Sequence, residues 1–359
     1  MSRINSLRLI AINLSTLLCC QILSASKSLA CSTFSYSEQG HSFVGKSYDW
    51  DKEQGVLHVN KRGVKKSALQ VFPTDRPLTW TAKYGSLTLN QYGRELPNAG
   101  INEAGLVVEV MVLGGAKFPA SDEKLTVNES QWVQYMLDMA GSANDVAALT
   151  RQARLSKILI PLHYMACDPS GACVAVEPID GEMVITDLSE RGNKVMTNDS
   201  FENGMKYLKG FEGFGGSRPI PTSKGSLDRF VIASDHIKRA NSLTSQDGVK
   251  FGFEGIERVA SAATKWRVVY DLDARSIYFA TQSETNVKKA NLSEFDFNCR
   301  TAVKVYDMAA SSSGDVSGKF TDYSSKDNSQ LVRSSLGRSV PEALLQAAES
   351  LPESTECVQ

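Results

Sequence analysis

The chain has 359 residues, of which 42% are hydrophobic and 22% charged, and its formal net charge is −1. These values are ordinary for a globular protein with one large domain or two smaller ones. The balance of acidic and basic residues gives no reason to expect nucleic acid or an anionic membrane as a partner.

The first predicted element is an export signal over residues 1–30. Basic residues precede an apolar run over residues 9–23, which is too short to span a bilayer comfortably. The small residues Ser28 and Ala30 stand at the positions that a signal peptidase reads. We therefore expect cleavage after Ala30 and a periplasmic or secreted chain that begins with Cys31, with no stable membrane association.

Export changes what the cysteines predict, because disulfides are expected in an oxidising compartment. Cys167 and Cys173 flank a turn sequence between two apolar runs, which favours a stapled hairpin. Cys299 and Cys357 would then tie the C-terminal tail to the body, and Cys31 would be the thiol left over. Since four cysteines allow three connectivities, this pairing is a hypothesis.

From residue 31 onward, strand-like and helix-like segments come in blocks. Alternating apolar residues predict strands over residues 31–113, helical spacing follows over residues 128–154, and a second strand block, further helices and a last strand pair occupy residues 162–283. This order predicts an α+β fold of stacked layers and not a doubly wound parallel sheet. No clean linker is present, so we expect a single domain over residues 31–359. Its C-terminal extension should hold a serine-rich surface excursion over residues 309–330 and a last helix near residues 341–350.

The residue types exclude several familiar kinds of site. The histidines are scattered, and the chain contains neither an HExxH motif nor paired CxxC motifs, so we predict no metal site. The GxSxG elbow of serine hydrolases is also absent.

Cys31 remains as the candidate nucleophile. An N-terminal cysteine carries its own base, because an α-amino group titrates near ~7.7–8 and is partly neutral at physiological pH. Nucleophile and base then belong to one residue, and no histidine is required. On this interpretation, signal cleavage activates an enzyme only after export.

Several short motifs follow Cys31 in a fixed order. They are GKSYDW (residues 45–50), GINEAGL (100–106), HYMACDPSGACVAVE (163–177), VMTNDS (195–200), SLDRF (226–230) and TKWRVVYDLDARSIYF (264–279). Together they resemble the choloylglycine hydrolase family of linear amide C–N hydrolases. These are N-terminal-nucleophile hydrolases that include bile salt hydrolases and penicillin V acylases. The agreement covers nearly all of the mature chain.

The resemblance implies a four-layered αββα sandwich of the N-terminal-nucleophile hydrolase type. It also implies that Cys31 is the nucleophile, that Asp49 orients its amino group, that Asn198 donates to the oxyanion and that Arg229 stabilises charge. From the residue types alone, Asp49 is more often a turn cap, Asn198 is a good turn residue, and Arg229 is by default a solvated or salt-bridged helix residue. Cys31 alone is more often a disulfide partner or a lipidated cysteine.

Two departures from the resembled pattern concern the substrate and the oxyanion. Lys46 stands where bile salt hydrolases carry Arg, so the positive charge is kept but the planar guanidinium, which can make two parallel hydrogen bonds, is lost. We expect Lys46 to bind substrate and to alter substrate choice. Val112 stands at about the place of an Asn that helps form the oxyanion hole in those enzymes. Glu109, an acid within an apolar strand, faces either the site or the solvent.

The sequence therefore predicts an exported cysteine amidase that hydrolyses linear, non-peptide C–N bonds through a thioester, without cofactor or metal. The resemblance implies a small amide substrate such as penicillin V, an N-acyl amino acid or a conjugated bile salt, and Lys46 argues against bile salts. It is also compatible with a homo-oligomer. The alternative is a lipid-anchored or disulfide-stabilised periplasmic binding protein without catalysis, although Ser28 is a poor match to a lipidation signal.

Overall fold

The computed structural model describes residues 31–38, 40–70, 72, 74–240 and 248–358. The predicted signal over residues 1–30 lies outside the described residues. No helix in the described part of the chain has both the length and the apolar character that a membrane span requires.

Most strands belong to two large sheets. In chain order the strands are β1 (Ser32–Glu38), β2 (His41–Asp49), β3 (Val56–Asn60), β4 (Val64–Ser67), β5 (Thr79–Thr81), β6 (Ser86–Asn90), β7 (Ala99–Asn102), β8 (Val107–Val112), β9 (Thr126–Asn128), β10 (Arg154–Ser156), β11 (Leu162–Cys167), β12 (Cys173–Ile179), β13 (Glu182–Asp187), β14 (Val195–Met196), β15 (Thr264–Asp271), β16 (Ser276–Thr281), β17 (Lys288–Asn291), β18 (Lys304–Asp307), β19 (Gly314–Asp315), β20 (Thr321–Asp322) and β21 (Glu356–Cys357). The first sheet has the order β14-β1-β2-β15-β16-β17-β19, and the second has the order β13-β12-β11-β8-β7-β6-β3-β18-β20.

Helices cover the outer face of each sheet. In chain order, the helices in the described part of the chain are α1 (Trp132–Met139), α2 (Ala143–Gln152), α3 (Phe201–Leu208), α4 (Ser226–Lys238), α5 (Gly248–Val259) and, in the C-terminal extension, α6 (Ser325–Leu336) and α7 (Glu342–Ser350). The first sheet packs against α3, α4 and α5, and the second packs against α1 and α2. The layers therefore run helix, sheet, sheet, helix, and the predicted αββα sandwich of the α+β class is confirmed. The predicted limits of one domain over residues 31–359 stay a prediction.

The central strands of the first sheet are buried on both faces, as expected for a sheet between a helix layer and a second sheet. Every residue of β2 after its first is buried. Gly45 is required there, because a Cβ at this position would lie 2.5 Å from Cζ of Phe34 on β1. The close pairing of β1 with β2 brings the start of β1 beside the end of β2, with Ser32 opposite Ser47.

The C-terminal extension differs from the sequence expectation. The serine-rich stretch over residues 309–330 was expected to be a surface excursion, but α6 begins within it at Ser325. The hydroxyl of Ser324 accepts a hydrogen bond from the backbone N–H of Asp327 and caps this helix. Apolar residues of α6 and α7 form a separate small core with Leu96.

The four cysteines expected to pair lie in the two expected pairs. The sulfur atoms of Cys167 and Cys173 are 2.10 Å apart, and those of Cys299 and Cys357 are 1.92 Å apart. Cys31 is a free, buried thiol. Oxidation of the two pairs in the cell stays a prediction.

Candidate active site

Cys31 stands immediately before β1 and is 3% exposed. Its thiol donates a long hydrogen bond of 3.7 Å to the backbone carbonyl of Asp49 at the end of β2. Burial raises the pKa of the thiol, because the thiolate loses solvation, and the negative charge of Asp49 also raises it, while the positive charges of Lys46 and Arg229 act to lower it. Cys31 thus combines a buried sulfur with two cations that favour its reactive form.

Asp49 holds a network of donors around its buried carboxylate. Oδ1 accepts hydrogen bonds from the hydroxyls of Thr264 (2.6 Å) and Ser47 (2.9 Å). Oδ2 accepts one from Ser261 (3.3 Å) and forms an ion pair of 2.7 Å with Arg229. These contacts fix the position of the carboxylate near Cys31, and Asp49 is not the turn cap that residue type alone allows. Its predicted contact with the α-amino group of Cys31 stays a prediction.

Arg229 lies on the inner face of α4 and is almost fully buried, so it is not solvated but salt-bridged, to Asp49. Burial lowers the pKa of its guanidinium, and the negative charge of Asp49 raises it. Among the described residues, Nε and Nη2 of Arg229 have no hydrogen-bond partner. Buried donors without partners are costly, so these groups are suited to receive a charge that the substrate brings or develops.

Asn198 follows β14 and is held at both ends. Its backbone N–H donates to the hydroxyl of Ser226 at 2.9 Å, and its side-chain amide donates to the backbone carbonyl of Val112 at 2.7 Å. Val112, which lacks the amide expected from bile salt hydrolases, thus orients the amide of Asn198 through its backbone. An amide nitrogen has two hydrogens, so one of them remains for a further acceptor.

Two motif residues support the segment that carries Asn198. His163 on β11 donates through Nε2 to the backbone carbonyl of Thr197 at 2.8 Å, and its Nδ1 lies 3.0 Å from a carboxylate oxygen of Glu177 on β12. Glu177 also accepts from the backbone N–H of Phe201 at the start of α3. The first and last residues of the HYMACDPSGACVAVE motif therefore position the Asn198 turn.

Lys46 and Glu109 contact each other between the two sheets, with 3.1 Å between Nζ and Oε2. Lys46 also donates to the hydroxyl of Thr33 at 3.2 Å and to the carbonyl of Val110. Glu109 therefore faces the interior and not the solvent. The amine of Lys46 lies outside the lining of the cavity at Cys31, and its predicted role in substrate binding stays a prediction.

A cavity of about 60 Å³ opens beside Cys31. Its lining is mainly aromatic and aliphatic and includes Tyr48, Trp50, Tyr92, Leu96, Val112 and Leu336. None of the described residues that line it carries a charged side chain. The cavity is suited to an apolar, uncharged group attached to a carbonyl that Cys31 attacks.

Sequence reasoning did not find the wall of this cavity. Tyr92 and Leu96 lie in the loop between β6 and β7, just before the GINEAGL motif, and Leu336 ends α6. Leu336 carries no local signal, because an apolar residue at helical spacing is typical of any packed helix.

One surface group has the composition of a cation site. The donor atoms of His41, Asp271 and Asp273 lie within 4.8 Å of one another at the opposite end of β2 from Asp49. Exposed acidic groups of this kind are common without an ion, and nothing connects this group to Cys31.

Comparisons with known proteins show which family and which fold this chain resembles. The model of the family described as linear amide C–N hydrolases, choloylglycine hydrolase family, matches residues 31–233. The penicillin V acylase of Pectobacterium atrosepticum is 25% identical over an alignment of 321 residues. The match covers 77% of this chain and 84% of that protein. The structure of penicillin V acylase from Agrobacterium tumefaciens has a TM-score of 0.71 and 26% identity, and the match covers 82% of this chain and 98% of that one. A variant of conjugated bile acid hydrolase from Clostridium perfringens has a TM-score of 0.65 at 16% identity, over 79% and 98% of the two chains, and shares the fold.

Proposed function

The chain belongs to the linear amide C–N hydrolases of the choloylglycine hydrolase family, and we propose that its mature form is an exported cysteine amidase whose first residue is Cys31. The observation that carries this proposal is the position of the free Cys31 thiol, at an apolar cavity and beside the Arg229–Asp49 ion pair. The start of the family match at residue 31 supports cleavage after Ala30.

The proposed reaction begins when the α-amino group of Cys31 takes the thiol proton. The sulfur then attacks the amide carbonyl, and Asn198 donates to the oxygen that becomes negative. A fixed donor of this kind typically contributes about 2.7–4 kcal/mol to the transition state. The C–N bond breaks as the same amino group returns its proton to the leaving amine, and a thioester remains on Cys31. Water, deprotonated by the amino group, hydrolyses the thioester and releases the acid.

Asp49 and Arg229 act as a unit in this scheme. Asp49, held by Arg229, Thr264 and Ser47, presents a fixed negative charge that orients the amino group and raises the pKa of that amine. The donors of Arg229 that have no partner in the described part of the chain would offset negative charge near the sulfur. Burial keeps these interactions strong, because solvent does not screen them.

The cavity supports an amide with an apolar acyl group. Penicillin V fits this description, and so do an N-acyl amino acid with an apolar chain and a conjugated bile salt. The contacts of the described residues do not identify the amine part of the substrate. We favour penicillin V as the substrate, because the two relatives described above with 25% and 26% identity are penicillin V acylases.

The test is a panel of acyl amides with the purified mature protein, measured by release of the amine. We expect turnover with penicillin V or another apolar acyl amide, and loss of nearly all of it in Cys31→Ser. Ser35→Ala is the matched control and should retain activity, because Ser35 is a buried residue of β1, the strand that Cys31 precedes. Absence of turnover across the panel, together with a diacylglycerol adduct on Cys31, would instead support the lipid-anchored binding protein.

A further inference from the structure

The end of α6 reaches the cavity at Cys31. Leu336, the last residue of this helix, is 7% exposed and lines the same cavity as Cys31, Tyr92 and Leu96. The family match ends at residue 233, so this wall comes from a part of the chain beyond the match. The proposed nucleophile and this wall are thus more than three hundred positions apart in the sequence but share one cavity.

The position of α6 is fixed from the active-site side. The side-chain oxygen of Asn328 on α6 accepts a hydrogen bond of 2.7 Å from the backbone N–H of Arg94. Val332, one turn later, packs on Gly93, where a Cβ would lie 2.5 Å from the valine. Gly93 has a φ of +97° and belongs to the loop that supplies Tyr92 and Leu96 to the cavity. Helix and loop therefore form one packed unit.

The C-terminal end of α6 is held by the segment that follows Asp49. The amine of Lys52 donates to the backbone carbonyls of Ser334 and Ser335, the latter at 3.1 Å. A cation at this end satisfies free carbonyls and is favoured by the helix dipole. Trp50, two residues before Lys52, also lines the cavity, so the segment that holds the end of α6 supplies a wall residue of its own.

The rest of the extension braces α6 from outside. Arg333 forms ion pairs with Glu342 and Glu349 on α7, and Leu345 of α7 belongs to the same small apolar core as Leu336 and Leu96. The chain then returns to the body, where β21 pairs with β4. These contacts fix α6 against the body of the protein.

We propose that α6 is a specificity element, in which Leu336 limits the size of the acyl group that reaches Cys31. The inference rests on the proposed amidase function. The cavity is small and apolar, so its capacity changes measurably when one wall residue gains or loses a few carbons. Leu336 is not a catalytic residue; it restricts which acyl groups can bind.

The experiment compares Leu336→Ala and Leu336→Trp with wild type on a butyryl, an octanoyl and a dodecanoyl amide of 6-aminopenicillanic acid. We expect Leu336→Ala to raise the ratio of kcat/KM for dodecanoyl over butyryl about 10-fold, and Leu336→Trp to lower it by a similar factor. Leu345→Ala is the matched control, since Leu345 is equally buried in the same small core but does not line the cavity. It should reduce stability and leave the ratio unchanged.

A second readout does not depend on amide hydrolysis. The rate at which N-butyl and N-dodecyl iodoacetamide alkylate Cys31 should show the same shifts in chain-length preference. If no variant hydrolyses the amides but the chain-length preference of alkylation shifts in the Leu336 variants, the amidase assignment fails. The proposal that Leu336 limits the size of the group that reaches Cys31 is then still supported. Unchanged ratios in both Leu336 variants, or an equal shift in Leu345→Ala, would overturn the proposal, because the effect would then be absent or a general loosening of the extension.

Discussion

Lys46 and Glu109 form a buried ion pair that joins the two sheets, with 3.1 Å between Lys46 Nζ and Glu109 Oε2. Lys46 comes from β2, the strand that ends at Asp49, and Glu109 comes from β8, which leads to Val112. The hydroxyl of Tyr270 donates to the other oxygen of Glu109 at 2.7 Å. Burial raises the pKa of Glu109, and the charge of Lys46 acts to lower it. The pair therefore couples β2, the strand that ends at Asp49, to β8, which lines the cavity.

Removal of one partner should cost far more stability than removal of both. Lys46→Met leaves Glu109 buried without its cation, and we expect a loss of about 3–5 kcal/mol in the free energy of unfolding. The double variant Lys46→Met/Glu109→Met should recover most of this loss, because no isolated charge remains. Urea unfolding of wild type, Lys46→Met, Glu109→Met and the double variant measures the coupling energy of the pair. If the double variant loses as much unfolding free energy as the two single variants together, the pair contributes nothing specific.

Lys46 should also influence the Cys31 thiol. Its positive charge acts to lower the pKa of this thiol, so Lys46→Met should raise the pKa and slow alkylation by iodoacetamide severalfold at neutral pH. Lys46→Arg should restore the rate, because the charge returns. The same variants test the predicted substrate role: a change mainly in KM indicates contact with substrate, and a shift of the pH–rate profile indicates action through Cys31.

Asn198 should act mainly on the chemical step. We expect Asn198→Ala to lower kcat by about 10²–10³-fold with little change in KM, as for other single oxyanion donors. Asn193→Ala is a suitable control, since Asn193 is also buried and hydrogen-bonded, to Ser234 at 2.9 Å, but lies in a different cavity. Equal losses of kcat in the two variants would argue for a structural effect.

His163→Phe should weaken catalysis without touching the reacting atoms. The variant removes the hydrogen bond that fixes the Thr197 carbonyl and leaves Glu177 without its imidazole partner. We expect kcat to fall, and to fall little further when His163→Phe is combined with Asn198→Ala, because both changes act on one donor. Independent, multiplicative losses in the double variant would contradict this positioning role.

His58 should make stability depend on pH. Burial lowers its pKa from 6.5 to about 3, and among the described residues neither ring nitrogen has a hydrogen-bond partner. As the pH falls below 6.5, the unfolded chain binds the proton first, so the stability associated with neutral His58 is present above 6.5 and is lost toward about 3. The loss should approach about 1.4 kcal/mol per pH unit. His58→Leu should flatten the dependence of the unfolding free energy on pH between about 3 and 6.5. An unchanged slope in this variant would show that His58 is not the source of the pH dependence.

Much of the site was predictable because its residues lie in ordered motifs. Cys31, Asp49 and Arg229, which the resemblance assigns to one site, lie together in the structure, and their catalytic roles stay predictions. The α+β class follows from the blocks of strands and helices, and the αββα layer order was implied by the resemblance. The partnership of Lys46 with Glu109 was not readable, since it depends on how two sheets face each other and no local pattern encodes that. Leu336 was missed because a serine-rich composition hides the start of α6, which a single Ser324 cap and tertiary packing stabilise.

The most direct test of the account is the intact mass of the active protein before and after treatment with iodoacetamide. We predict the mass of residues 31–359 before treatment, and afterwards one added carbamidomethyl group, located on Cys31, with complete loss of amide hydrolysis. An active protein that retains residues before Cys31, or one that keeps full activity after Cys31 is alkylated, would contradict the assignment of an N-terminal cysteine nucleophile.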